Sequence, residues 1–303
     1  CLMLFMTISA LSSSLSIQSA LDSQLEEFTP VDVNLYKSAY LPENYVNSYT
    51  KQTVYYTEGQ REDSRKPVSY TLETNGYDMN TLKDIVEIPI YAIPEWTLKY
   101  SLGDYYETAK IQFSMLTYDT PESVIKISDY NKIASLYGIE QYSLNEDEYI
   151  VLCDFEQMVD IRNKALKENS NIQINGKTYH SKYNECKDGF VFMSTSNMNA
   201  GIILVPDSFE IKEENTEQFF LAANYNAETE EEKVELNNVL SGEVDSELFD
   251  NLSEKEINLE GSTKISLIES SKGLSTIIIF IAIYLGIVFL IASSAILALK
   301  QLT

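Results

Sequence analysis

Histidine is nearly absent from this chain: His180 stands alone among 303 residues. A histidine-rich metal site is therefore excluded. No nucleophile–base–acid spacing of Ser, Cys or Asp is legible around His180, so it reads as a surface residue and not a general base. Cysteine is scarce as well, three residues with no CxxC pair and no zinc-ligand spacing. No GxxxxGK[ST] loop occurs, and Gly261-Ser262-Thr263-Lys264 does not supply one, so any ATP hydrolysis must come from another chain. The acidic residues form no EF-hand loop. In so acidic a chain, carboxylate pairs such as Asp154 and Asp160 carry no specificity. No catalytic, cofactor-binding or metal-binding residue is assigned on these grounds, no cofactor is expected, and the sequence names no ligand-binding residue.

Positive charge is the next shortage. Lys and Arg total 22 against 46 Asp and Glu, a formal charge of −24. Residues 1–21 are uncharged and residues 274–303 hold only Lys300, which leaves −25 on residues 22–273. A field of that sign repels nucleic acid and anionic headgroups and favours cationic partners, besides keeping an exposed domain soluble. The acidic middle is nonetheless rich in Tyr, Phe, Ile and Val and can bury a core. Its most charged run, Glu228–Glu235, reads as the solvated first turns of a helix.

What the chain has in abundance lies at its ends. Leu274–Leu299 (LSTIIIFIAIYLGIVFLIASSAILAL) runs without a charged side chain, and as a helix it would span about 39 Å, beyond the ~30 Å of bilayer hydrocarbon. It reads as a membrane-spanning helix, because a helix satisfies its own backbone in lipid. At the other end Cys1 precedes LMLFMTISALSSSLSIQSAL, and the first charge is Asp22. A lipidated cysteine is usually followed by a polar linker, whereas Leu2–Met6 are apolar. A signal peptide needs a basic leader, which is absent. Residues 1–27 are therefore expected to be the end of a transmembrane helix, leaving the bilayer near Ser12–Ser16 and continuing as a stalk. Residues 28–264 form the acidic domain, and 265–303 a second stalk and transmembrane helix. Lys300 hints that the C-terminal end is cytoplasmic, which places the domain outside.

Within the middle, the pattern predicts strands mixed with short helices. Pro30 stops the first helix, and Phe28–Leu35 is extended. Lys37–Lys66 is polar and irregular. A helix is expected within Val68–Glu87, with Leu82, Ile85 and Val86 on one face. Strands follow at Glu87–Tyr100, Lys110–Tyr118 and Ser123–Ile127. Ser128 or Asp129 caps a helix that Gly138 ends. Glu148–Phe155 is a buried strand, and Asp154 opens the next helix. Ile172–His180 is a hairpin turning at Asn175-Gly176. Phe190–Ser194, Gly201–Val205 and Gln218–Asn226 are strands, Glu228–Leu240 is a helix closed by Gly242, and Ile257–Ile268 is a last strand or the start of the second stalk. The fold class is α+β, carried on two long transmembrane or stalk helices. Trp96 and the tyrosines serve either as core or as a ligand platform. Cys153, in the apolar EYIVLCDF, and Cys186, in YNECKDG, either pair as a disulfide outside the cytoplasm or remain thiols, with Cys153 a small core residue.

The order of these segments resembles a known family. IYLGIVFLIASSAILALKQL is similar to the helix after the large outer loop of FtsX-like permeases of the bacitracin-efflux (Bce) type. FTPVDVNL after a membrane helix, SDYNKIASLYG before EYIVL, the hairpin INGKTY and then AGIILVPD follow the same order. The resemblance is strongest over Ser128–Thr303 and weakest over Lys37–Val68. It implies a fragment of a multi-pass permease in a Gram-positive bacterial cell membrane, with a large extracellular domain of FtsX-like or MacB-like kind. It also implies that ATP is hydrolysed by a separate ABC ATPase subunit, that this chain is not itself an enzyme, and that the outer domain engages a peptide antibiotic or its complex with a cell-wall lipid carrier. A membrane sensor histidine kinase and membrane lipids are further partners of this reading, and nucleic acid is not one. Related alternatives are a lipoprotein-release or cell-division permease, or a membrane-anchored ligand-binding receptor that does not transport.

Overall fold

Pro30 follows the first helix by two residues, and from there the chain becomes a sheet. A computed structural model describes residues 2–46, 51–113, 120–242, 244, 247–254, 257 and 259–302. The helices are α1 (Leu2–Phe28), α2 (Glu58–Ser64), α3 (Val68–Thr74), α4 (Leu98–Leu102), α5 (Tyr106–Gln112), α6 (Ile127–Tyr137), α7 (Glu156–Glu168), α8 (Glu230–Ser241), α9 (Glu247–Glu254) and α10 (Lys264–Leu302). The strands are β1 (Val33–Ser38), β2 (Asn44–Val46), β3 (Thr53–Tyr55), β4 (Leu82–Thr97), β5 (Pro121–Lys126), β6 (Glu148–Leu152), β7 (Asn171–Ile174), β8 (Lys177–Ser181), β9 (Ile202–Val205), β10 (Thr216–Tyr225) and β11 (Glu260–Thr263).

Among the described residues, nine strands form one mixed sheet in the order β11-β1-β10-β4-β5-β9-β6-β8-β7, and β2 and β3 pair separately. One half, β11-β1-β10-β4, is antiparallel throughout. The other half mixes directions: β9 runs parallel to β5 and antiparallel to β6, while β6 runs parallel to β8. Strands and helices intermingle as an α+β architecture requires. The sheet unit comprises Pro30–Met193 and Asn197–Thr263. Helices α1 and α10 pack on each other in a second unit that also holds Ser194–Ser196. Helix α10 is 39 residues long. Among the described residues no helix is long and apolar enough to cross a membrane; several side chains of Leu274–Leu299, including those at 274–275 and 278–279, lie outside the described ones.

Each half of the sheet has its own apolar core. Val33, Leu35, Leu221, Ala223 and Tyr225 from β1 and β10 pack with Val68 and Leu72 of α3, Leu240 of α8, and Leu248 and Leu252 of α9. In the mixed half, Trp96, Val124, Tyr149, Val151, Ile203 and Phe209 form one cluster, and Leu102, Tyr106, Met158, Ile161 and Ala165 form another with Cys153. Strand β6 is buried at every position from Tyr149 to Leu152, which is why its sequence is a continuous apolar run and not an alternation.

Several expectations hold in detail. Asn175 (φ 51°) and Gly176 (φ 76°) turn the β7–β8 hairpin through the left-handed region that a two-residue loop needs. Gly138 (φ 70°) ends α6 and Gly242 (φ 72°) ends α8 in the same conformation. The charged run does open a helix, α8, and a reciprocal cap that the sequence reading did not name starts it: the Thr229 hydroxyl accepts from the Glu232 N–H and the Glu232 carboxylate accepts from the Thr229 N–H.

Others are corrected. Leu82–Val86 belongs to β4 and not to a helix: a bulge at this end, with Asp84 at φ 53°, breaks the alternation and leaves Leu82, Ile85 and Val86 at spacings that mimic a helical face. Lys110–Gln112 closes α5 instead of opening a strand, because Tyr106 and Ala109 upstream supply the buried helical stripe; residues 114–119 of that expected strand lie outside the described ones. Lys37–Lys66 is less irregular than expected, holding the end of β1, the β2–β3 pair and α2, the last started by a Thr57–Gln60 capping box. Phe190–Ser194 forms no strand: the Met193 N–H donates to Asn34 Oδ1 (2.7 Å) and the Val191 carbonyl accepts from the Tyr137 hydroxyl (2.7 Å), so side chains replace a ladder. Helix α9 was not anticipated.

Two caps also come from elsewhere than expected. Neither Ser128 nor Asp129 caps α6, whose first turn begins after Lys126; the Ser128 N–H donates to the Asp207 carboxylate (3.2 Å), a cap reached through the fold. Asp154 does not cap α7 either, since Phe155 holds the cap position and Asp154 Oδ1 accepts from the Asn199 N–H (2.8 Å).

Candidate functional site

Helix α7 places its apolar residues at Met158, Ile161, Ala165 and Leu166, and Arg162 lies within that buried stripe. A cation there must be paired or it would not stay charged. The partner is Glu122, turned inward next to Val124 on β5. Arg162 Nη1 and Nη2 donate to Glu122 Oε1 and Oε2 at 3.0 and 2.9 Å, a fork-on-fork pair with the two residues 4% and 5% exposed. Arg162 Nε donates to the Ala200 carbonyl (2.6 Å). Burial alone would lower the arginine pKa, but attraction to Glu122 raises it, so the guanidinium stays charged. Gly201 is required beside it: a Cβ at this position would lie 2.0 Å from Arg162 Nη2. A shallow cleft of about 190 Å³ opens over the pair between Pro121 and Gly201.

Cys153 follows β6 into this region. Its N–H donates to the Lys187 carbonyl (3.0 Å), and the Lys187 N–H donates to the Val151 carbonyl (2.9 Å), a single rung of parallel pairing. That rung brings Cys186 against the apolar cluster that contains Cys153. The Cys186 N–H donates to Asn163 Oδ1 (2.6 Å) on α7. The two thiols titrate as a pair: the Cys153 thiol is lowered mainly by its hydrogen bond with Cys186, and the Cys186 thiol is raised.

The opposite half buries a cation differently. Lys37 on β1 is 3% exposed, and its Nζ donates to the carbonyls of Asp63 (2.8 Å) and Ser64 (3.2 Å) at the end of α2 and lies 5.9 Å from the centre of the Phe219 ring. Burial drops its pKa to about 8, against the pull of Asp63 and Glu87. Close by is a cavity of about 480 Å³, lined by Ala39, Tyr40, Arg65, Lys212, Glu213, Glu214, Thr216 and Phe219. Its size falls within the range of small-molecule sites, and it combines two aromatic rings with charges of both signs. The loop Asp207–Lys212 lines a second, more open hollow of about 580 Å³. Lys212 is shared by both, and the rims bring together the carboxylates of Asp207, Glu210, Glu213 and Glu214.

The residues weighed from sequence fall into place individually. His180 is half-exposed, with Nδ1 3.6 Å from Asp147 Oδ2 and Nε2 4.0 Å from Glu148 Oε1. Trp96 is a core residue, 0% exposed, edge-on to Tyr149 at 5.3 Å. Asp154 is buried while Asp160 is exposed on α7, so the two do not form a matched pair. Gly261 serves close packing: a Cβ there would sit 2.3 Å from the Asn34 carbonyl oxygen. Among the described residues no group of three or more His, Cys, Asp and Glu side chains could hold a metal ion. The Glu122–Arg162 pair escaped the sequence reading, although an arginine at helical spacing from Met158 and Leu166 was a visible sign of a buried partner.

No protein-family model, no curated protein and no solved structure matches this chain.

Proposed function

We propose that this chain is the outer domain and flanking helices of a membrane permease of the FtsX-like, bacitracin-efflux kind, whose ATPase is a separate subunit. One observation carries the reading: the sheet begins and ends on neighbouring strands. β1 and β11 are antiparallel partners with Val33 opposite Thr263, and these positions adjoin the helix-bearing stretches of sequence on either side. A domain inserted in this way is attached by a pair of adjacent strands, which suits a loop carried between two membrane helices. The uncharged run Leu274–Leu299 supplies one such helix by length and composition.

The outer domain would engage a cationic peptide antibiotic, alone or bound to a lipid carrier, at the carboxylate-rimmed hollows around Asp207–Glu214. The −25 charge of residues 22–273 raises the local concentration of such a peptide. A sensor kinase is the further partner that this family reading carries.

The test uses the full chain in membranes. Recovery of an ATP-binding subunit with the detergent-solubilised chain, together with saturable bacitracin binding that survives high salt, supports the proposal. Ligand binding without an ATPase partner favours a non-transporting receptor, and an ATPase partner without peptide binding favours a lipoprotein-release or cell-division permease. Binding that vanishes with salt reduces the charge to a nonspecific attraction. Extraction of the chain from membranes by alkaline carbonate alone would overturn the membrane assignment.

A further inference from the structure

The loop between β8 and β9 has little regular structure, yet it joins the two halves of the sheet. The Val191 carbonyl accepts from Tyr137 of α6, the Met193 N–H donates to Asn34 of β1, and Phe192 lies edge-on to Tyr36 and Phe220 at 5.3 and 5.1 Å. The loop is held at its start by the Lys187 rung to β6 and by the Cys186–Asn163 bond. Cys186 sits at that anchor, packed on the apolar cluster that holds Cys153.

We infer that Cys153 and Cys186 are an oxidisable pair, and that a disulfide between them locks this loop to the end of β6. The geometry supplies three requirements. Cys153 and Cys186 each adjoin the Leu152–Lys187 rung, one on either segment, and Cys186 packs on the apolar cluster that holds Cys153. Cys153 is 1% exposed and shielded from outside reagents, whereas Cys186 is only partly buried and is the more accessible of the two. Arg162 is fixed nearby by Glu122 and Ala200, and its charge adds to the hydrogen bond from Cys186 in favouring a thiolate on Cys153.

The oxidant is a low-molecular-weight or protein disulfide, RSSR. Cys186 attacks one sulfur of RSSR as its proton passes to the Cys153 thiolate, forming a mixed disulfide and releasing RS⁻. Cys153, the shielded member, then attacks the Cys186 sulfur and releases the second RS⁻. The two thiol protons end on the two leaving thiolates, so the protein dithiol is oxidised and RSSR is reduced to two RSH. The order of attack follows from exposure: the accessible sulfur meets the oxidant and the buried sulfur resolves it. The inference is independent of the permease reading, because only the supply of oxidant differs between compartments.

The test is oxidation of the folded full chain by glutathione disulfide, followed by denaturation, maleimide labelling and peptide mass spectrometry. A Cys153–Cys186 crosslinked peptide, lighter by two hydrogens and unlabelled at both sulfurs, is expected. Cys153→Ser should leave Cys186 carrying glutathione, and Cys186→Ser, at the half-buried position, should leave Cys153 unmodified until the chain is unfolded. The oxidised wild type should unfold at a higher denaturant concentration than the reduced one, with Trp96 fluorescence as the signal. Recovery of both thiols as maleimide adducts after oxidation would overturn the inference. So would a wild-type chain that keeps glutathione on Cys186 and never resolves it.

Discussion

Among the described residues each half of the sheet buries one cation, and the two are accommodated in opposite ways. Arg162 in the mixed half keeps its charge and is met by a carboxylate that is itself buried. Lys37 in the antiparallel half has backbone carbonyls for partners and gives up its proton readily, its pKa falling to about 8. The difference follows from chemistry: a guanidinium cannot be neutralised at any ordinary pH, while an ammonium can. An arginine in a core therefore demands a matching anion and a particular geometry. A lysine demands only acceptors and leaves its surroundings more tolerant. The mixed half is accordingly the one in which single changes should do most damage.

The sharpest way to break the comparison is to remove the anion. Glu122→Gln leaves a buried guanidinium without its counter-charge and should cost about 3–5 kcal/mol, read from equilibrium unfolding followed by Trp96 fluorescence. Replacing Glu122 and Arg162 together by Leu and Met should recover most of that loss; if the double variant is as unstable as the single one, the damage came from packing and not from charge. Gly201→Ala comes next, because the added Cβ displaces Arg162 and the backbone at φ 154° strains any side chain; a loss above ~1 kcal/mol is expected, and only the part due to the clash should disappear in an Arg162→Met background.

Lys37 predicts a pH dependence. Between pH 8 and 10 the unfolded lysine still holds its proton while the folded one has released it, so the unfolded state binds more protons and stability rises with pH, by up to about 1.4 kcal/mol per unit. Lys37→Met should abolish that rise. Above pH 10 the trend should reverse, because burial pushes Tyr130, Tyr137, Tyr149 and Tyr225 upward and the unfolded tyrosines then lose protons first. A flat profile from pH 8 to 10 would show that Lys37 is solvated. The smallest effect belongs to the antiparallel half: Thr229→Ala removes one cap of α8 and should cost ~1 kcal/mol, without changing the Trp96 signal of the folded chain.

How far residues were legible depended on how local their reasons were. The Asn175-Gly176 hairpin and the ends of α6 and α8 were readable because a left-handed backbone at one residue selects Gly or Asn whatever surrounds it. Strand β6 was readable because burial on both faces writes an unbroken apolar run. The start of β4 misled because a bulge around Asp84 converts a period of two into apparent helical spacing. The N-termini of α6 and α7 misled because Asp207 and Asn199, distant in sequence, compete for the groups involved. The candidate cavities were invisible for the same reason, since Tyr40, Arg65 and Phe219 meet only when β1, α2 and β10 have assembled.

By itself, then, the amino-acid sequence determined the α+β character of the acidic middle, its turns and helix ends, its charge, and the long uncharged run at Leu274–Leu299, because each depends on composition or on residues a few positions apart. Tertiary structure alone decided that β1 pairs with both β10 and β11, that Glu122 meets Arg162 across 40 residues, and that Cys153 lies beside Cys186. Those choices rest on which strands become neighbours, and strand pairing is a property of the assembled sheet that no local stretch encodes.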